Sequence, residues 1–319
     1  MLEGGARPLA LLVPAGASAM IAEKLAVSSP RMTGPSNEMS MPAGASGTFA
    51  IGGVLSVHRL GFGAMRLPGM RGEPGSRSAA REILREAVQL GVDLIDTAQV
   101  YGRSEELIAD ALHPYPEGLV IATKGGLRRG GHPDGRPERL RADCEDSLRR
   151  LRLDTIDLWQ LHRIDPEVPV EDQFGVISEL RDEGKIRFVG VSEVSVDELH
   201  RARELIDIAT VQNRFNIADQ TAGDVLGACE ADGIGFLPWA PMAMGELARS
   251  PSSLASVAAR HGATPAQIAL TWLLHRSPVM LPIPGTGSPL HLRENANAAL
   301  IELSDNDLLA LDHGTQRPS

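Results

Sequence analysis

The chain has 319 residues, with 31 Lys and Arg against 41 Asp and Glu, and the net charge of −10 argues against a nucleic-acid backbone as partner. Hydrophobic residues make up 43% and aromatic residues only 3%, so one domain-sized fold with an aliphatic core of Leu, Ile, Val and Ala is expected. No run approaches the roughly 18–20 apolar residues of a membrane span, and Cys144 and Cys229 lack a second Cys or a His at ligand spacing, which implies free thiols in a reducing cytoplasm and no metal.

Residues 1–46 are rich in Ala, Gly, Ser, Pro and Met without sustained periodicity and read as a disordered extension, with the folded domain at 47–319. Pro8 and Pro14 flank an apolar stretch too short for a signal peptide. Thr48 to His58, with Gly52-Gly53 at its centre, predicts a β-hairpin. Short apolar runs then recur at Leu60–Ala64, Leu94–Ala98, Leu119–Lys124, Ile156–His162, Phe188–Ser192, Thr210–Asn213, Gly235–Trp239 and Val279–Ile283.

Between these runs lie segments of helical period. Ala79 to Leu90 sets Ile83, Leu84, Ala87 and Leu90 on one face, with Gly91 as a stop; Leu140–Leu151 and Glu171–Gly184 follow the same pattern. Ser195 caps a helix through Ile206, and Thr264-Pro265 opens one through Leu274. Eight strand–helix repeats predict right-handed parallel units closed into a (β/α)8 TIM barrel behind the N-terminal hairpin. An open doubly wound sheet would need a third glycine and a helix start after Gly61-Phe-Gly63, and Ala64-Met65-Arg66 supplies neither.

Chemistry in such a barrel sits at the carboxyl ends of the strands. Asp96 and Tyr101 follow the second strand, Lys124 closes the third and His162 closes the fourth. The chain holds only three lysines and two tyrosines, and one of each falls at this mouth. A buried Lys needs a partner, which Asp96 supplies, and its charge is expected to lower the phenol's pKa. Such a phenol can protonate a carbonyl oxygen as the carbon is reduced, while His162 orients the carbonyl or shares the proton.

The segment Gly91-Val-Asp-Leu-Ile-Asp-Thr-Ala-Gln-Val-Tyr-Gly102 resembles the part of the aldo-keto reductase family that carries its Asp and Tyr. The likeness continues through Ile121-Ala-Thr-Lys-Gly125, Leu158-Trp-Gln-Leu-His162, Gly190-Val-Ser192, Val211-Gln-Asn213, Leu237-Pro-Trp-Ala-Pro241 and Pro282-Ile-Pro-Gly-Thr286, in order from residue 49 on. Within the family it is most similar to bacterial members of the pyridoxal reductase type. The resemblance implies a catalytic tetrad of Asp96, Tyr101, Lys124 and His162. It implies that Ser192 and Gln212 hold the nicotinamide carboxamide and that Trp239 stacks on the ring. Gly285, Thr286, Gly287 and Ser288 would receive cofactor phosphate, as free N–H groups before a helix start also suggest. Glu294 and Asn295 match positions that contact adenine.

Two positions depart from the family pattern. Glu193 stands where Asn is common beside the serine; it can accept from the carboxamide but not donate to it. The phosphate loop lacks the usual Lys and Arg, leaving Ser288, His291 and Arg293 to meet a 2′-phosphate. NADPH is the expected cofactor, with NADH as the alternative. The expected substrate is a small aldehyde or ketone, pyridoxal among them, in a cytoplasmic enzyme that is a monomer by default. Two other readings stand beside this one: a cofactor-sensing regulatory subunit, and a lyase using Lys124 as a Schiff base.

Overall fold

Strand alternation decides where the polar residues of this chain end up, because the strands close into a ring and every second side chain faces its lumen. The computed structural model describes residues 41–69, 76–243 and 252–315. Strands β1 (Thr48–Ile51) and β2 (Leu55–His58) form the expected antiparallel hairpin. Strands β3 (Phe62–Gly63), β4 (Leu94–Asp96), β5 (Val120–Gly125), β6 (Ile156–Leu161), β7 (Ile186–Ser192), β8 (Ile208–Gln212) and β9 (Gly235–Phe236) then lie parallel in chain order.

The eighth apolar run closes the ring without ranking as a ladder strand. Leu281 N–H donates to Phe236 O at 2.8 Å, while Gly61 and Gly63 N–H donate to Pro282 O at 2.9 Å and Pro284 O at 3.2 Å. Pro282 and Pro284 lack the N–H groups that would complete the ladder. The seam is also very tight. A Cβ on Gly63 would stand 2.6 Å from Ile283 O, and one on Gly285 would stand 2.5 Å from Gly63 O.

Helices α1 (Ser76–Gln89), α2 (Ser104–Leu112), α3 (Pro137–Leu151), α4 (Val170–Asp182), α5 (Val196–Leu205), α6 (Gly223–Asp232), α7 (Ser252–His261), α8 (Pro265–Arg276), α9 (Pro289–Asn297) and α10 (Asp305–Thr315) complete the described elements. Ser195 with Glu198 and Thr264 with Gln267 form reciprocal capping boxes at α5 and α8. The sequence pattern sets no bounds for α2, α6, α7 and α10. Residues 42–46, assigned there to the extension, form a short 3-10 helix whose Pro42, Ala43 and Ser46 are buried and whose Ala43 N–H donates to Leu90 O at 3.0 Å. The remainder of that extension, residues 1–40, lies outside the described residues.

Inside the ring, Leu94, Val120, Ala122, Leu158, Leu237, Leu281 and Ile283 pack with Ile51 and Val57, so the hairpin plugs the amino-terminal end. Outward-facing Trp159, Leu161, Val189, Val191 and Val211 pack against the helices on one side, and Ile95 and Ile121 on the other. One alternation therefore carries 94 to 96, 122 to 124, 158 to 160 and 162, 190 to 192, and 210 to 212 up the inner face. It ends on Asp96, Lys124, Gln160, His162, Ser192 and Gln212.

Candidate active site

These six residues meet at the open end of the barrel. Lys124, fully buried at 0% exposure, donates from Nζ to Asp96 Oδ1 at 2.8 Å, Asp96 Oδ2 at 2.6 Å and Thr97 O at 2.8 Å. These three contacts and its full burial hold Nζ against Asp96 and Thr97 and away from the cavity surface, which speaks against the Schiff-base reading. Asp96 Oδ1 also accepts from Gln212 Nε2 at 2.8 Å and Gln160 Nε2 at 3.2 Å. One carboxylate therefore ties together four strands and compensates the only charge that the lumen buries deeply among the described residues.

Tyr101 sits just past β4, with the Lys124 ammonium 5.4 Å from its ring centroid and the His162 ring edge-on at 5.9 Å. The sequence reading expected Lys124 to lower the phenol's pKa. Burial acts more strongly and raises it; Lys124 and Arg163 pull it down, while Asp96 adds to the rise. The Tyr101 phenol is therefore protonated at neutral pH. Burial, reinforced by Lys124 and Arg163, pushes the His162 imidazole down to about 2. His162 is neutral and can donate an N–H to a carbonyl oxygen, but it holds no spare proton to share.

Gly63, Met65, Tyr101, His162, Arg163, Trp239 and Met242 are among the residues around a cavity of about 290 Å³ at this mouth. Ser192 and Gln212 border the same space. Met244 lies outside the described residues. Ser192 Oγ accepts from Arg163 Nη1 at 3.2 Å and keeps its own hydrogen free to donate. Gln212 spends its amide donor on Asp96, which leaves Oε1 as its acceptor.

Glu193 is committed elsewhere than the expected carboxamide contact. Its Oε1 accepts from the Trp239 indole N–H and from Arg214 N–H, the latter at 2.7 Å, and its backbone adopts the left-handed φ of 56°. Glu193 thereby fastens Trp239, whose ring carries the Arg214 guanidinium 5.6 Å from its centroid. Ala240 and Ala243, which follow Trp239, also have positive φ (51° and 48°), so this wall is held in costly backbone conformations.

On the far side of the mouth, Gly285 to Ser288 precede α9, and Ser288 caps that helix by accepting from His291 N–H at 3.4 Å. Asn295 is buried with its Nδ2 lacking a partner among the described residues, whereas His291 is exposed and Glu294 half-buried. Arg293 is ion-paired with Glu86. Gln160 and Arg163 are site residues that the sequence reading did not single out. Gln160 shares the inner face with His162 by period-two alternation, and Arg163 is a charged residue directly after a strand end; both signals were present.

The family model described as the aldo/keto reductase family matches residues 59–314. The chain belongs to the aldo/keto reductase family. It is thus an NAD(P)H-dependent oxidoreductase. It is 46% identical over 281 residues to an uncharacterized oxidoreductase of Schizosaccharomyces pombe, covering 86% of this chain and 91% of the relative. It is 41% identical over 281 residues to the pyridoxine 4-dehydrogenase of Escherichia coli, covering 84% and 98%. Among solved structures, an aldo-keto reductase from Klebsiella pneumoniae in complex with NADPH superposes with a TM-score of 0.73 at 27% identity, over 83% of this chain and 94% of that one. No helix of the described residues is long and apolar enough to cross a membrane.

Proposed function

We propose that this protein is an NADPH-dependent carbonyl reductase in which Tyr101 protonates the carbonyl oxygen. The observation that carries this reading is the convergence of a half-buried phenol, a carboxylate-bound ammonium and a neutral imidazole on one partly apolar cavity. The residues present fit the cofactor. The Gly285 to Gly287 loop leads into the amino-terminal end of α9, where an anion is favoured, and Asn295 Nδ2 is a buried donor still to be satisfied. The Klebsiella relative holds NADPH in the same fold, which supports the choice. Ser192 and the Oε1 of Gln212 would hold the carboxamide, Trp239 would cover the ring, Gly285 to Ser288 would receive phosphate, and Glu294 and Asn295 would face adenine. Ser288 and His291 remain for a 2′-phosphate, since Arg293 is taken by Glu86.

When bound, the reduced nicotinamide supplies the hydride to the carbonyl carbon. Tyr101 Oη gives its proton to the oxygen as negative charge builds there, and Lys124 stabilises the phenolate left behind. Asp96, accepting from Lys124, Gln160 and Gln212, keeps that ammonium in place. Neutral His162 orients the carbonyl by donating its N–H. Small aldehydes and ketones fit the cavity, and pyridoxal is supported by the similarity to pyridoxine 4-dehydrogenase, whose named reaction run backwards is the reduction of that aldehyde.

Fluorescence titration with NADPH, followed by an aldehyde screen that includes pyridoxal, tests the reading. Quenching of Trp239 and turnover of at least one aldehyde are expected. Tyr101→Phe should keep NADPH binding and lose turnover by about 10²–10⁴-fold. A variant with wild-type turnover would refute the assignment of the proton donor.

A further inference from the structure

Two charged groups of this cavity, Arg66 and Arg163, are used by neither the tetrad nor the cofactor reading, and Arg163 is the one that stands directly beside His162. Its Nη1 donates to His162 O at 2.6 Å and to Ser192 Oγ at 3.2 Å. Both acceptors are neutral and both are met by a single nitrogen, so the other edge of the planar guanidinium is left for something else. Among the described residues no carboxylate lies within ion-pair distance of Arg163. The carboxylate of Asp96, which also borders the cavity, is already compensated by Lys124. In a chain of net charge −10, a half-buried cation left without a counter-ion at a cavity wall is a site that a ligand anion would complete.

The ring geometry separates this charge from the cofactor phosphates. Arg163 follows β6, the fourth staff of the barrel, and Gly285 to Ser288 follow the eighth, so the two lie across the mouth from one another. Arg163 instead stands beside the carbonyl-orienting group, being the next residue after His162 and lining the same cavity. Its charge is felt at both Tyr101 and His162. Met65, Trp239 and Met242 add apolar surface to the same cavity.

We propose that Arg163 is a specificity-determining residue that pairs with an anionic oxygen carried by the substrate close to its reacting carbonyl. The preferred substrate is then an aldehyde on a compact apolar or aromatic body with a carboxylate or phenolate beside the carbonyl. This rests on the reductase reading above and narrows its substrate class. Pyridoxal, with a phenolic oxygen on the carbon next to the one that carries its aldehyde, belongs to that class.

The test compares reduction of 2-carboxybenzaldehyde and benzaldehyde by wild type, Arg163→Gln and Arg163→Lys with NADPH. The ratio of kcat/KM for the anionic over the neutral aldehyde should fall about tenfold or more in Arg163→Gln, through KM rather than kcat, and recover in part in Arg163→Lys. A merely structural role would weaken both aldehydes alike and leave the ratio unchanged, which would overturn the proposal. Calorimetric titration of the NADP⁺-saturated protein with phthalate, which cannot be reduced, gives a readout independent of turnover. Binding to wild type about tenfold tighter than to Arg163→Gln supports the anion site even if no aldehyde is turned over, an outcome that would sink only the reductase reading. Equal binding to both proteins overturns the anion site, even if benzaldehyde is reduced well.

Discussion

Replacing His162 with Gln should change how stability depends on pH, by an amount that follows from the burial of the imidazole. In the folded chain the ring is held down to about 2 by burial and by Lys124 and Arg163, against an ordinary value of 6.5. The unfolded chain therefore binds a proton at His162 below about pH 6.5 that the folded chain refuses, so acidification favours unfolding and stability rises with pH across this window. At pH 5.0 the ring is about 1.5 units below its unfolded midpoint, and at about 1.36 kcal/mol per unit the wild type should lose roughly 2 kcal/mol at this one site relative to pH 7.5. Gln does not titrate. Urea unfolding of wild type and His162→Gln at pH 7.5 and 5.0 gives four stabilities, and their double difference cancels the carboxylates common to both proteins. The wild type should lose about 2 kcal/mol more than the variant. Losses that agree within about 0.5 kcal/mol would refute the picture of an imidazole kept neutral by its surroundings.

Asp96→Asn leaves the buried Lys124 ammonium without its carboxylate and should cost about 3–5 kcal/mol in urea unfolding; a loss below about 1 kcal/mol would contradict the proposed compensation. Gly285→Ala places a Cβ 2.5 Å from Gly63 O across the barrel seam, and should cost about 1–3 kcal/mol and weaken NADPH binding measured by fluorescence. Arg59 donates to Leu274 O at 2.6 Å, Ser277 O at 2.5 Å and Met280 O at 3.2 Å, tying the end of α8 to the closing segment. Arg59→Met should therefore lower stability by about 1.5–3 kcal/mol without changing the KM for an aldehyde.

The strands were legible in the sequence because each is a short apolar run set off by polar or turn-forming residues, and all eight such runs occupy staves of the barrel. The helices read least well were those with weak or interrupted amphipathicity. In α6, Gly223, Gly227, Ala228 and Ala231 blur the apolar face, and α2 follows directly on the Tyr101 loop. Within the site, polar residues at the carboxyl ends of consecutive strands can be foreseen as neighbours, which is why Asp96, Lys124 and His162 stand out in the sequence. Contacts between loops could not. Glu193 meets the indole of Trp239, 46 residues away, and no local pattern encodes that pairing. The direction of the Tyr101 shift was misjudged because a sequence displays neighbouring charges but not how deeply a phenol is buried.

The Asp96–Lys124 pair, clasped by Gln160 and Gln212, gives the members of the proposed tetrad unequal evolutionary fates. Tyr101 stands at the rim and binds no strand to another, so a lineage under relaxed selection could discard it in a single step and keep a sound barrel. Asp96 and Lys124 admit no such step, since losing either strands a charge in the lumen, and only a coordinated double replacement escapes. Descendants of this fold that have given up catalysis should therefore carry the Asp and Lys as relics long after the phenol has gone. In a genome survey, a surviving Asp–Lys pair would then mark ancestry, and the tyrosine would mark activity.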